Sequence, residues 1–257
     1  MSGQQALWAD GPDRVLTDEE HLADLRAREC DPTPRGVVRA ALTGLSALLE
    51  PFGPPAFAGC CPLPSWGAVR VLDWCAGSGV WSSEMRIASL ARGVETVITA
   101  VESDPTHLPY LAEHCDDWAA CDWRMLDLSC FDVLLGNPAF SQIFDGLEAF
   151  ALAAGANYRA CALILASEQL LTRTATGRAF ARSWPPRFEL LIPGGVRFRG
   201  PGTAQDRVGY SVFGWSVQDF PSSAGPGVVT WPCHLLPELP ATDRGWSTFP
   251  GRELKTP

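Results

Sequence analysis

Short apolar runs alternate with helical stretches through the middle of the chain, and that alternation decides the fold class. Residues 69–72, 97–101, 131–135 and 162–166 are runs of the buried-strand kind. Between them, 82–91, 106–114 and 142–154 carry helical spacing, the last with Ile143, Phe144, Leu147, Phe150 and Ala151 on one face. Strands that alternate with helices pair in parallel under helices on both faces, so the spacing predicts an α/β, doubly wound, mostly parallel sheet. Two later runs, 188–192 and 210–217, read as strands, with Phe213, Trp215 and Val217 on one face of the second. Sheets of this kind bind ligands beyond the carboxyl ends of their strands, at the point where strand order reverses.

Two strand ends carry chemistry. The first is Val71-Leu72-Asp73-Trp74-Cys75-Ala76-Gly77-Ser78-Gly79, a strand that runs into a glycine turn and then a helix. Gly77 and Gly79 let a ligand approach the backbone, and Ser82 takes the third position of the common G-x-G-x-x-G pattern. Glu102 ends the next strand, 23 positions after Gly79, where an acid would grip ribose hydroxyls. A carboxylate at Asp73 would repel a pyrophosphate but suits the ammonium of a zwitterionic ligand. The loop therefore fits a methyl donor built on methionine better than a dinucleotide. The second strand end is Gly136-Asn137-Pro138-Ala139-Phe140. An amide oxygen, a backbone carbonyl and an aromatic ring can hold a flat, amine-bearing group. Cytosine-C5 chemistry would need a Pro-Cys nucleophile at this strand end, and Pro232-Cys233 lies far downstream.

The flanks read differently. Thr17-Asp18-Glu19-Glu20 fits a capping box for a helix reaching about Glu29. Thr33-Pro34 opens another helix with Val37, Val38, Ala41, Leu42, Leu45, Leu48 and Leu49 as its apolar stripe. Residues 51–66 are rich in Pro and Gly and read as a linker. The expected organisation is a helical extension and linker over 1–66, a catalytic domain over 67–220, and a Pro/Ser/Gly-rich, loosely ordered tail over 221–257 that lies against the domain through Trp231 and Trp246.

Composition sets outer bounds. With 46% hydrophobic and 19% charged residues, 257 residues suit one globular domain with extensions. No apolar run approaches about 18 residues, and the amino terminus lacks a secretory pattern, so the cytoplasm is the expected location and no membrane is expected as a partner. Nine cysteines without a Cys-x-x-Cys read as buried thiols rather than as a zinc site made by His114, Cys115, Cys121 and Cys130. The net charge of −9 counts against a broad phosphate-binding surface.

These residues resemble the class I S-adenosylmethionine-dependent methyltransferases, and more narrowly the phage-type adenine-N6 DNA methyltransferases with an Asn-Pro-Pro-Phe/Tyr signature. The resemblance spans roughly residues 30–217. Asp31-Pro32-Thr33-Pro34 matches the Thr-Pro element near the donor's carboxylate, Asp73 to Gly79 the donor loop, Glu102 the ribose-binding acid, and Asn137 to Phe140 the catalytic tetrapeptide. Arg197-Phe198 with Tyr210, Phe213 and Trp215 resembles the family's late strand. The resemblance implies a seven-stranded, Rossmann-like methyltransferase sheet with a late antiparallel strand. It also implies S-adenosyl-L-methionine as cofactor, no metal, and Asn137, Pro138 and Phe140 as catalytic residues. Thr33, Asp73, Ala76, Gly77, Gly79 and Glu102 would bind the donor. Of Asp122 and Asp127, both in the region that contacts the donor's adenine, Asp127 is the choice.

One departure stands out: Ala139 replaces the family's second proline, which removes rigidity but no catalytic atom. No separate recognition domain is apparent. DNA is the expected acceptor, with RNA or a protein glutamine amide as alternatives under the same chemistry, and a catalytically silent donor-binding module as a third reading.

Overall fold

A computed structural model describes residues 33–49, 68–155, 160–192, 196, 209–217, 220 and 233–235. The chain divides into units Met1–Asp31 and Pro32–Pro257, and every described residue lies in the second. The capping box at 17–20, the 51–66 linker, Arg197-Phe198, Trp231 and Trp246 lie outside the described residues.

Helix α1 spans Arg35–Leu49. The sheet then begins with β1 (Val69–Trp74), α2 (Val80–Leu90) and β2 (Thr96–Val101). A short helix α3 (Leu108–Leu111), β3 (Asp117–Ala119) and β4 (Val133–Gly136) follow. Next come α4 (Ile143–Ala154), β5 (Cys161–Ser167), α5 (Leu170–Arg173) and α6 (Ala175–Ser183). The last strands are β6 (Phe188–Leu191), β7 (Tyr210–Ser216) and β8 (Cys233–Leu235).

Strand order is β3-β2-β1-β4-β5-β7-β6-β8. All pairings are parallel except those of β7, which runs antiparallel to both β5 and β6. The first seven strands give the doubly wound, Rossmann-like order of the methyltransferase type expected, with its late antiparallel strand. The eighth, β8, comes from the expected tail and adds to β6.

Period-two alternation sends neighbouring strand residues into two cores. Val69 and Val71 of β1 face the core shared with Val37, Val38, Ala41 and Leu42 of α1 and with Val80, Trp81 and Met85 of α2. Leu72 and Trp74 face the other core, with Ile143, Leu147 and Phe150 of α4, and Phe213, Trp215 and Val217 as the alternation predicts. Each fully buried Leu, Ile or Phe contributes about 1.5–3 kcal/mol. The side chains of Leu45, Leu48 and Leu49 lie outside the described residues.

Three elements differ from expectation. The helix expected over 106–114 shrinks to a 3-10 turn at Pro105–His107 and the four residues of α3. Pro109 lacks an N–H and would clash with a carbonyl four residues back, so it fits only in a first helical turn, and α3 starts there instead of continuing from Thr106. The α5–α6 pair escaped the sequence reading because Thr172, Thr174, Thr176 and Gly177 are poor helix formers. Thr174 offsets this by capping α6, accepting the Gly177 N–H at 2.9 Å. Strand β3, three residues with no apolar run to announce it, has no counterpart in the sequence reading. Among the described residues no helix is long and apolar enough to cross a membrane.

Candidate active site

Strand order reverses between β1 and β4, where Asp73 pairs with Leu135. The glycine loop leaves β1 at this crevice and the Asn137 segment leaves β4 beside it.

Asp73 is fully buried. Its Oδ2 accepts the Ser82 N–H at 2.9 Å and the Ser82 hydroxyl at 2.6 Å, while Oδ1 has no partner. Burial pushes its pKa from 3.8 up to about 7; Ser82 works against the rise and the charge of Glu102 adds to it. The serine in the third glycine position thus has a task the pattern does not announce: it ties the helix back to the strand-end acid. Ser78, also buried, leaves its hydroxyl unpaired in the same loop.

Cys75, Gly77 and Gly79 have φ of 54°, 53° and 77°. Glycine takes such values freely, but for cysteine they cost energy. A Cβ on Gly77 would meet nothing within 4 Å, so the loop is open there. A Cβ on Gly79 would lie 3.0 Å from Leu111. Ala76 is buried, with its N–H bonded to the Val101 carbonyl at 2.9 Å. Glu102 is buried at the end of β2. It accepts the Gly77 N–H on Oε2 at 2.8 Å, and on Oε1 the Asp104 N–H at 3.0 Å and the Ser103 hydroxyl at 3.2 Å. The two expected donor residues are thereby bonded directly to each other.

Thr33 is buried just ahead of α1. Arg35 bonds to Ser83 and pairs with Glu84 at 3.2 Å, and Arg39 grips both Glu84 oxygens at 3.0 Å. These contacts fix the start of α1 against the helix that follows the glycine loop.

At the second strand end, Gly136 has φ 149° and a Cβ there would lie 2.5 Å from the Trp74 carbonyl. Asn137 is half-buried and Pro138 buried. Ala139 sits at φ −52°, ψ 133°, and its carbonyl accepts the Gln142 N–H at 2.8 Å. That φ lies in the range proline enforces, so the backbone keeps the shape of the lost proline. The Phe140 side chain lies outside the described residues.

Trp74 holds both ends of this segment. A Cβ on Gly136 would lie 3.0 Å from the indole, and one on Gly146 of α4 only 1.7 Å. Trp123 packs edge-on at 5.2 Å and donates its N–H to Gln142 at 3.0 Å. The sequence carried no sign of this role.

The two candidate acids separate in space. Asp127 is exposed and caps the turn Leu128–Cys130, accepting the Ser129 N–H at 3.0 Å and hydroxyl at 2.6 Å. The Ser129 bonds hold its pKa below the usual range. It lines an open cavity of about 460 Å³ with Ala149 and Ala153 of α4. Asp122 follows β3, and its charge is among those that raise the Cys75 pKa. The Asp122 carboxylate also accepts the Arg124 N–H at 2.9 Å and pairs with its guanidinium at 3.0 Å, so both acids cap 3-10 turns after β3 and both stay candidates.

Burial chiefly, then Glu102, pushes the Cys75 thiol up to about 12, against the lowering effect of the Ala139 backbone. Cys75 therefore stays a thiol and no thiolate nucleophile stands here. Among the described residues no three His, Cys, Asp or Glu side chains gather as metal ligands.

No protein-family model and no curated protein sequence matches the chain. Solved structures do. A proposed class I S-adenosylmethionine-dependent methyltransferase from Listeria monocytogenes aligns at 12% identity and a TM-score of 0.47, over 86% of this chain and 80% of that one. A type I restriction-modification methyltransferase subunit from Streptococcus thermophilus aligns at 14% and 0.45, over 72% and 44%. An RNA methyltransferase from Salinibacter ruber, in complex with S-adenosyl-L-homocysteine, aligns at 12% and 0.37, over 63% and 87%. The fold assignment stands on the strand order itself.

Proposed function

We propose that the chain is an S-adenosylmethionine-dependent methyltransferase that acts on an exocyclic amine, N6 of adenine in DNA being the favoured acceptor. One observation carries the reading. A buried carboxyl oxygen with no partner, Asp73 Oδ1, stands at the end of β1 beside the glycine loop and across the strand-order reversal from the strand that leads to Asn137-Pro138. An ammonium group would satisfy that oxygen and draw the carboxyl back to its ionised form. The unpaired Ser78 hydroxyl and the space above Gly77 fit the same ligand.

The donor, when bound, supplies an electrophilic methyl group on a sulfonium centre. Asp73, Ala76, Gly77, Gly79 and Thr33 would hold its methionine part. Glu102 Oε2 already takes the Gly77 N–H and keeps a lone pair for a ribose hydroxyl. Asp127, or Asp122 whose charge reaches Cys75 of the loop, would accept the donor's amino group. Asn137 Oδ1 and the Pro138 carbonyl would accept hydrogen bonds from the acceptor NH₂ and aim its lone pair; Phe140 would stack on the ring. Much of the acceleration then comes from positioning. A base in duplex DNA must leave the stack at a cost of a few kcal/mol, which aromatic stacking of about 1–3 kcal/mol offsets.

The φ of Ala139 supports an active site over a silent donor-binding module, since the tetrapeptide keeps a proline-like backbone. The net charge of −9 keeps a protein acceptor as a second reading, and RNA shares the amine chemistry. The test is expression in a methylation-deficient host with mass spectrometry of its nucleosides. N6-methyladenine in DNA is expected. Methylated RNA or protein in its place would move the acceptor, and no methylated product would overturn the reading.

A further inference from the structure

Charge is unevenly placed along this chain. The net is −9, yet residues 169–188 hold Arg173, Arg178, Arg182 and Arg187 and no Asp or Glu, so the rest of the chain carries −13. This segment leaves the sheet at the carboxyl end of β5. Strands β4 and β5 are parallel neighbours, with Gly136 opposite Ile164, so the Asn137 segment and the arginine segment emerge at the same edge.

The intervening helix is held in one orientation. Ala181 of α6 is buried, and the Phe180 ring lies 4.7 Å from Phe144, four residues past Phe140. Thr174 caps the helix, and Gly177 is tight enough that a Cβ would lie 2.1 Å from the Leu170 carbonyl. With that face inward, Arg178 and Arg182 stand exposed one turn apart on the outer face. Arg178 donates to the Thr172 carbonyl at 3.0 Å, which draws its guanidinium to the α5–α6 junction, near the strand-end edge. Arg187 stands at the opposite edge, at the start of β6, where its N–H bonds to the Gly214 carbonyl at 2.7 Å.

A positive face on an otherwise acidic protein selects an anionic partner and turns it away from the rest of the surface. Guanidinium forks match phosphate oxygens in pairs. From this placement we infer that Arg178 and Arg182 on α6 form the surface where the sugar-phosphate backbone of a nucleic-acid acceptor docks beside the Asn137 segment. The inference rests on the proposed methyl transfer and narrows its acceptor to nucleic acid. A protein acceptor would leave these two arginines without a role in binding.

The test is equilibrium binding of the full chain to a duplex of about 20 base pairs, and to single-stranded DNA and RNA of that length, across about 50–200 mM salt. Each phosphate-bound side chain adds about one to the steepness of log affinity against log salt. Arg178→Ala with Arg182→Ala is expected to flatten that slope by about two and to weaken binding about tenfold near 0.1 M salt. Arg182→Glu alone, which spares the Arg178 contact to Thr172, should also weaken binding, whereas Arg187→Ala should change neither slope nor affinity. Melting temperature and donor binding are expected to stay as in the parent. An unchanged slope on all three nucleic acids overturns the inference, as does an equal loss in Arg187→Ala. Binding is read without methyl transfer, so a chain that binds through these arginines and methylates nothing sinks the proposed function alone. A chain that methylates while both slopes coincide sinks the inference alone.

Discussion

Replacing Asp73 with Asn separates two consequences of burying a carboxyl at the glycine loop. Burial holds the Asp73 pKa at about 7 in place of 3.8. The folded protein therefore binds this proton more tightly than the unfolded chain does. The cost to stability is absent below the lower value, grows as pH rises towards 7, and is constant above it, reaching about 4 kcal/mol. Asn cannot ionise, and its oxygen can still accept both Ser82 bonds. Its new NH₂ has no partner at the Oδ1 position, which costs about 1–3 kcal/mol at every pH. The pH-dependent part is therefore the cleaner quantity: the stability of the variant relative to the parent should rise by about 3 kcal/mol between pH 4.5 and 8 in denaturant titrations. Donor binding should move the opposite way. Loss of a charge-assisted bond worth about 1.5–3 kcal/mol weakens affinity about tenfold to over a hundredfold, by calorimetry at pH 8. In the parent, donor affinity should fall about tenfold per pH unit below 7, and in the variant it should not. A stability difference that ignores pH, together with unchanged donor affinity, would refute the reasoning.

The other expectations concern the tetrapeptide and its supports. Asn137→Ala should lower methyl transfer about a hundredfold or more while calorimetric donor binding persists. Ala139→Pro fits the φ of −52° but removes the N–H that faces the Cys75 sulfur. The roughly 0.4–1 kcal/mol from restricting the unfolded chain is offset by the lost bond, about 0.5–1.5 kcal/mol, so stability in denaturant titrations should change by less than about 1 kcal/mol. Gly146→Ala puts a Cβ 1.7 Å from the Trp74 ring and should cost about 1–3 kcal/mol, read as a lower melting temperature, with slower transfer as the Asn137 segment shifts.

What the sequence made legible follows from how each element earns its stability. Strands β1, β2, β4 and β5 are short, mostly apolar runs, and burial explains them. The alternation in the late strand puts Phe213, Trp215 and Val217 on one face, and all three lie in one core. Helices α5 and α6 draw on a threonine cap and a close glycine approach, both tertiary, so a stretch of Thr and Gly read as nothing. The strand-end positions of Asp73, Gly77, Gly79, Glu102 and Asn137 are legible because each follows an apolar run in a fixed order. Asp122 and Asp127 are not separable, because both follow β3 and both cap 3-10 turns. Trp74 was silent for another reason. Its role depends on two glycines, Gly136 and Gly146, that lie far from it in sequence and close in space.

The measurement that tests the central claim most directly uses the purified chain, a donor labelled with deuterium on its methyl group, and unmethylated DNA, followed by nucleoside mass spectrometry beside the Asn137→Ala variant. The account expects N6-trideuteromethyladenine from the parent and almost none from the variant. Equal labelling by both proteins, or label on a ring carbon instead of an exocyclic amine, would contradict it.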